Sequence, residues 1–523
     1  MRGPQALLPA DVLLEIFNAY RKSCLEDITE GNATCKPYQW ILASHTCRHW
    51  RSVAIESSSL WALVVVTHAI ECIKTMIKRS RNAPLIVRAH PSACKRAFEK
   101  DALEAVFEVL HRVKNIDFSA DSHSIVKLGH LPASKPATSL ETFQVYNETR
   151  WSCGLGSPFA FISDAPNLRS LYLSGLNFIQ SSRLIVPSLV SFTWEASNPV
   201  DPQQLLTALA PLKQLRELNL TRVFDEVVVS HLPSDPVTHA FPQLRKFSLS
   251  GGAIGCTWFL DHIKLAPETR ISVRATEKWD AELPLSYILR LITSAASKSC
   301  GFDASDEASS PLSCEVLRGI NKHEVELRIW LSKVTADAFI SGSSPEPNVT
   351  IAVPLIDSNH YDGANLVIPK IFGSFKLSDI QSLHIRRFLS YERWPTVVGI
   401  LQRTFSQAPQ LQALVVSDWM SAAIPKLLSS ESGSSVFPVL EVLGLKAVQW
   451  PGSDQGMPLS TILKSRQEKD CKVTRVVVKR SLVVDEKDIT ESKEAVDNLD
   501  WDGASGPSID EEEDRELFSD DDE

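Results

Sequence analysis

One six-residue phrase, apolar-x-x-apolar-x-apolar, recurs along this 523-residue chain. Copies begin at Val113 (VKNIDF), Leu140 (LETFQV), Leu168 (LRSLYL), Leu189 (LVSFTW), Leu215 (LRELNL) and Leu244 (LRKFSL). A second run begins at Ile380 (IQSLHI), Leu411 (LQALVV), Leu440 (LEVLGL) and Val473 (VTRVVV). Successive starts lie 27, 28, 21, 26 and 29 residues apart in the first run, and 31, 29 and 33 in the second. Each copy reads as one short strand, and each interval as its return segment. One such unit cannot bury its apolar face alone, so the units must stack. Helical spacing appears between copies, as at Ile70, Ile73, Met76 and Ile77 or Leu103, Val106, Phe107 and Leu110. Pro166, Pro187, Pro242, Pro409 and Pro438 each stand two residues before a phrase, where proline keeps a helix from running on.

A phrase of this form at this period resembles the leucine-rich repeat, here degenerate and slightly long. The Asn or Cys that continues a standard repeat is mostly absent. The resemblance implies an α/β solenoid of parallel strands and return helices over residues 62–485. Weaker strand-like phrases occur at Arg270–Val273, Val325–Ile329 and Thr350–Val353. Ser294–Cys314, rich in Ser, Ala and Asp, reads as a loop insert. Residues 486–523 read as an acidic, largely disordered tail.

The segment before the repeats is helical in pattern. Val12, Leu13, Ile16, Phe17 and Tyr20 share a face behind Pro9, and Trp40, Cys47, Trp50 and Ala54 form a second stripe. The sequence Leu8-Pro9, then Leu14-Glu15-Ile16-Phe17, then Cys47-Arg48-His49-Trp50-Arg51 resembles the F-box. Ser58-Ser59-Leu60-Trp61 resembles the continuation seen in F-box proteins of mushroom-type fungi, whose downstream regions are often irregular solenoids. The resemblance covers residues 7–61, within a module placed at 5–61. It implies docking on a Skp-family adaptor, and through it a cullin scaffold, by Leu8, Pro9, Val12, Leu13, Ile16 and Phe17, with Cys47, Trp50 and Arg51 supplying or bracing the last contacts. The competing reading makes both helices a simple cap on the repeats.

Charge and chemistry narrow the alternatives. The formal charge is -9, and residues 510–523 alone carry ten Asp/Glu against one Arg, so the body is close to neutral. That gives no support for nucleic-acid binding. The ten cysteines include none at zinc-pair spacing, and Cys35, His45, Cys47 and His49 match no zinc pattern, so no metal and no cofactor are expected. Gly251-Gly252-Ala253-Ile254-Gly255 lacks the spacing and the following Lys of a phosphate loop and fits a strand-to-helix turn. Met1–Pro9 lacks the apolar stretch of a secretion signal, and the longest clear apolar run, Leu60–Val66, falls far short of the ~20 residues that span a bilayer. A cytoplasmic or nuclear protein with no membrane contact is expected.

In a leucine-rich repeat, alternate strand residues face the concave surface. Positions two, three and five of the phrase then offer Arg169, Tyr172, Arg216, Asn219, Arg245, Ser248 and His384 to an unknown protein substrate. The leading expectation is a non-catalytic substrate receptor of an SCF-type ubiquitin ligase. A ligase-independent interaction scaffold is the alternative, and an enzyme would require a triad that the sequence does not show.

Overall fold

The computed structural model describes residues 8–29, 37–67, 69–89, 100–122, 124–125, 136–149, 159, 162, 165–224, 237–266, 268–276, 290–295, 298, 312–318, 324–354, 377–386, 394–405, 408–417, 423–428, 436–448, 458–481 and 486–503. The chain divides into two compact units, Met1–Ser248 and Leu249–Glu523. Each is a mixed α/β stack built on a mostly parallel, leucine-rich-repeat-like sheet.

The first unit opens with two helices, α1 (Ala10–Thr29) and α2 (Arg48–Glu56), with a 3-10 turn at Gln39–His45 between them. Strands β1 (Leu63–Val65), β2 (Leu85–Ala89), β3 (Val113–Ala120), β4 (Thr142–Asn147), β5 (Ser170–Leu176), β6 (Ser191–Ala196) and β7 (Glu217–Thr221) pair in that order, all parallel. The register runs phrase on phrase. Ile116, Phe143, Leu171, Phe192 and Leu218 are successive partners, as are Phe118, Val145, Leu173, Trp194 and Leu220. All ten are buried. This is why the phrase repeats: each copy lays the same two apolar side chains on those of its neighbour, and a one-residue slip would turn them to solvent. Short strand β8 (His239–Phe241) follows, and β9 (Lys246–Gly251) begins at the end of this unit.

The prolines before the phrases have a more specific place than a helix stop. Leu168 N–H donates to the Ala165 carbonyl, Leu189 to Val186, Leu244 to Phe241, Leu411 to Ala408 and Leu440 to Phe437. Each proline is thus the second residue of a tight turn that opens the strand, a position its fixed φ suits. The carbonyl at phrase position two then accepts from two successive amides of the next repeat, as Arg169 O does from Val190 and Ser191.

In the second unit, β10 (Ile263–Leu265) precedes β11 (Arg270–Ala275), β12 (Ser313–Arg318), β13 (Glu324–Trp330), β14 (Val349–Pro354), β15 (Ser382–Arg386), β16 (Ala413–Ser417), β17 (Val442–Lys446), β18 (Arg475–Lys479) and β19 (Asn498–Trp501). Spatial order is β11, β14, β13, β12, then β15 to β19. Only β13 runs against its neighbours. The five residues 319–323 joining β12 to β13 are too few for a parallel crossover, so the pair closes as a hairpin. Leu383, Leu414, Leu443 and Val476 repeat the phrase-on-phrase register of the first unit.

Two boundaries read from the sequence are corrected. Ser294 lies in helical structure and Ser313-Cys314 open β12, so only residues between them, largely outside the described set, can form the insert. The repeats also continue past 485. Glu486–Ala495 is helical and β19 pairs with β18, Val476 against Leu499 and Val478 against Trp501. Asp488 accepts from the amides of Leu459 and Ser460, satisfying the start of the preceding helix, while Ile489, Ala495 and Val496 are buried. The polar letters of EKDITESKEA hide a helix whose few apolar residues all face inward. The acidic segment 504–523 lies outside the described residues.

Candidate functional site

Three surfaces bear on function. The first is the outer face of the N-terminal helices. Leu13 and Phe17 are fully buried, Phe17 meeting the half-buried Trp50 edge-on at 5.7 Å between ring centroids. These two were expected among the docking contacts; their burial makes them the brace of the module instead. Trp40 and Trp61 lie 5.3 Å apart in the same interior, and the Trp61 indole N–H donates to Ala54 O at 2.6 Å. The Tyr38 hydroxyl donates to Val65 O and accepts from Val65 N, fastening the module to β1. His49 Nε2–H donates to Leu8 O at 3.0 Å, holding the start of α1 beside α2. Cys47 is half-buried at the N-cap of α2, and Arg51 and Pro9 are exposed.

The adjoining edge of the same apolar face of α1 has no such cover. Val12, Ile16 and Tyr20, four residues apart and so on one stripe, are 41%, 37% and 36% exposed. Leu42 and Ile55 are also exposed. Eight large hydrophobic side chains are exposed among the described residues, and five of them fall between positions 12 and 55. Capping the repeats explains the inward set but leaves this outward set unexplained.

The second surface is the open face of the first unit's sheet. Strands β4 to β6 alternate buried and half-buried residues without exception until their ends. Tyr172, Asn219 and Ser248 lie on the half-buried face. Arg169, Arg216 and Arg245 do not. They stand exposed at phrase position two, along the strand entry, and Arg169 donates to Ser188 O and Gln214 Oε1. The turn before each strand rotates this position out of the strand alternation.

A buried asparagine serves this unit where the standard repeat pattern is mostly missing. Asn147 donates to Gly175 O at 2.9 Å and accepts from the hydroxyls of Ser122 and Thr149. Gly175 has φ +71°, and a Cβ there would come within 2.8 Å of Asn147 Cβ, so glycine is required on both counts.

The third surface is covered. In the second unit, β16 is buried at every position, and the centres of β17 and β18 are buried too. The connection 331–348 between β13 and β14 lies across the face that is open in the first unit. Its helix, Ala336–Ser341, is capped by Thr335 and ended by left-handed Gly342. Trp330, Val334, Phe339 and Ile340 cluster with Ala413, Val415 and Val477. A Cβ on Gly444 would meet Ile340 Cδ1 at 2.9 Å, so the strap lies directly on that glycine. Asp337 receives two bonds of 2.9 Å from the Arg475 guanidinium.

Beside the strap runs a buried polar ladder. His384 is 4% exposed, with Nδ1 2.8 Å from Glu315 Oε1, Nε2 2.7 Å from Ser417 Oγ, and its ring 5.1 Å from that of Phe339. It therefore cannot contact a substrate, contrary to the expectation from its phrase position. Arg328 bonds both Glu315 and Glu326, and Arg274 bonds Glu324. Burial pushes the Glu315 carboxyl up, but the His384 hydrogen bond and the charges of His384, Arg328 and Arg386 outweigh it, leaving the group below the usual range. A depressed folded pKa contributes stability that is present above the ordinary glutamate range, about pH 4.3, and is lost as pH falls through the folded value. Glu315→Gln should accordingly flatten the acid limb of a stability-against-pH curve and lower stability near neutrality by about 1–3 kcal/mol. Equal acid limbs in urea titrations of both proteins would contradict this.

Among the described residues, no group of three or more His, Cys, Asp and Glu could hold a metal ion, and no helix is long and apolar enough to cross a membrane. Cys24 is buried, and Cys35 lies outside the described residues. Gly252 is the N-cap of helix Ala253–Asp261, whose residues are buried on nearly every side, as a strand-to-helix turn requires.

No protein-family profile matches this chain, and no curated protein matches it. Among solved structures it is similar to a chain of the Rad7 and Elc1 complex in yeast, at 12% identity over 80% of this chain and 94% of that one, with a TM-score of 0.26. It is also similar to the leucine-rich repeat-containing protein LegL7 from Legionella pneumophila, at 11% identity over 76% of this chain and 86% of that one, with a TM-score of 0.20. Scores this low carry no weight for fold or function. The repeat assignment rests on the phrase-on-phrase register and the strand-opening turns.

Proposed function

We propose that this protein is the substrate-recognition subunit of an SCF-type cullin-RING ubiquitin ligase, with its N-terminal helices docking on a Skp-family adaptor and its repeats binding a protein target. The observation that carries the reading is the unpartnered apolar stripe Val12, Ile16 and Tyr20, with Leu42 and Ile55 on neighbouring elements. An amphipathic helix offering i, i+4, i+8 anchors fits a partner's apolar groove. About two-fifths of each side chain remains to be buried, so docking gains roughly 1 kcal/mol from each, and the contact needs Leu42 and Ile55 as well as the stripe. Leu8 and Pro9, at the start of α1, extend the same contact, in keeping with the F-box-like order of residues. Cys47, Trp50 and Arg51 complete or brace it from α2. The chain performs no chemistry on this reading. It holds a target near the transfer machinery and so raises its effective concentration there.

Co-expression with a Skp-family adaptor, followed by gel filtration, tests the proposal. A one-to-one complex is expected. Elution of the full-length chain free of adaptor would leave it a ligase-independent scaffold.

A further inference from the structure

The strap 331–348 shows what one repeat face of this protein accepts. It is a short segment laid across the strands, with apolar side chains over Val415, Gly444 and Val477 and one carboxylate, Asp337, gripped by Arg475. The equivalent phrase positions of the first unit have the opposite character. Position five there is Asp117, Gln144, Tyr172, Thr193 and Asn219 instead of valine or glycine. The outward positions of β3 to β7 hold three carboxylates, Asp117, Glu195 and Glu217, while the cations of the same sheet stand at its flanks, Arg88 on β2 in register with Asp117 and Lys246 on β9. Glu195 accepts from the Ser174 hydroxyl and Glu217 from that of Ser191, and neither is paired with a cation among the described residues. Between Asp117 and Glu195 the rings of Tyr146 and Tyr172 stack at 4.5 Å. Burial pushes both phenols up, helped at Tyr146 by Tyr172 and Asp117 and at Tyr172 by Glu195.

We infer that the open sheet face of the first unit, centred on Tyr146 and Tyr172 between Asp117 and Glu195, binds an extended, arginine- or lysine-bearing segment of the target protein. Stacked aromatic faces flanked by carboxylates favour a cation twice over, through the ring quadrupoles and through direct charge. Serine, threonine and asparagine on the same strands offer hydrogen bonds to the backbone of such a segment. The inference rests on the receptor reading for its biological meaning, but the surface itself can be tested separately.

The probe is a fluorescein-labelled peptide of six Gly-Arg repeats, with a Gly-Glu peptide of equal length as control, followed by anisotropy with the full-length protein at 0.15 M salt. The Gly-Arg peptide should bind and the Gly-Glu peptide should not. Tyr172→Ala should weaken binding about 5-fold, and Glu195→Lys at least about 10-fold. These side chains are half-buried polar residues outside the core, and thermal melts of both variants should match wild type. A variant with the Asp and Glu residues of 510–523 changed to Asn and Gln should bind as wild type does. Binding that is unchanged in both face variants, or that vanishes when the 510–523 acids are neutralised, would overturn the inference. Adaptor binding is read on the same proteins. Intact adaptor binding without peptide binding removes this inference alone, whereas lost adaptor binding with peptide binding preserved removes the ligase reading and leaves the surface standing.

Discussion

Replacing Val12 and Ile16 together with glutamate should abolish adaptor binding, a loss of at least about 100-fold, while leaving the melting temperature within a degree or two of wild type. The two side chains are 41% and 37% exposed, so the free protein gives up little core by losing them. Surface substitutions of this kind usually change stability by less than about 0.5 kcal/mol. In a docked complex the same positions would place two carboxylates against an apolar groove, and burying an unpaired charge is strongly unfavourable. Anchors at the centre of an interface commonly contribute about 2 kcal/mol or more each, which compounds to the expected loss. Phe17→Ala is the wrong probe of the same question. Its ring is fully buried against Trp50, and truncation should cost about 3–5 kcal/mol of stability. Lost binding in that variant would report a damaged module. Calorimetric titration of the double glutamate variant against purified adaptor decides the matter; affinity equal to wild type would show that the stripe is not the contact.

Trp330→Ala should be the most damaging single change in the second unit. Trp330 is 2% exposed, closes edge-on against Phe339 at 5.5 Å, and donates its indole N–H to Pro345 O at 2.8 Å. It thus ties the end of β13 to both the strap helix and the strap's returning limb. Truncation removes a large apolar group and leaves a carbonyl without its donor, so about 3–5 kcal/mol of stability should be lost. Limited proteolysis should then cut within 331–348 before other sites. Asp337→Ala, by contrast, should cost no more than about 1 kcal/mol, because its pairing with Arg475 is largely exposed to water. A Trp330→Ala protein that melts with wild type and resists cleavage in the strap would contradict the view that this segment is a fixed cover.

The repeat architecture was legible because its cause is local and periodic. A phrase that must present two apolar side chains to the same neighbours every turn of the stack leaves a spacing that can be counted, and the partners Phe143, Leu171, Phe192 and Leu218 follow directly. The covered face of the second unit left a quieter trace. Phrase position five is Val415, Gly444 and Val477 there, against Gln144, Tyr172, Thr193 and Asn219 in the first unit. Apolar or absent side chains on the supposedly open face announce that something lies on it. His384 holds the same phrase position as Tyr172 yet is buried beside Phe339, because phrase position does not tell whether a face is covered. The reversal at β13 was not legible, because β12, which sets the short link before it, opens at Ser313-Cys314 inside a Ser-, Ala- and Asp-rich stretch that reads as a loop.

The candidate docking surface shows the same division. The residue order Leu8-Pro9, Ile16-Phe17 and Cys47-x-x-Trp50 located the module, but periodicity alone could not say which edge of one broad apolar face is packed. Leu13 and Phe17 lie on the edge packed against Trp50 and the turn at Gln39–His45; Val12, Ile16 and Tyr20 lie on the adjoining, uncovered edge. Only the packing of α2 separates them. The helix Glu486–Ala495 leaves little trace in the sequence, since its inward stripe is short and Asp488 caps a different helix.

On the proposed reading the N-terminal helices are the adaptor's seat and the repeats are not. Amide hydrogen exchange on the full-length chain, with and without a Skp-family adaptor, measures this directly. The account predicts slowed exchange over residues 8–25 and 40–56 on adding adaptor, with strands β4 to β7 unchanged. Protection confined to the repeat strands, with the N-terminal helices exchanging as in the free protein, would contradict it.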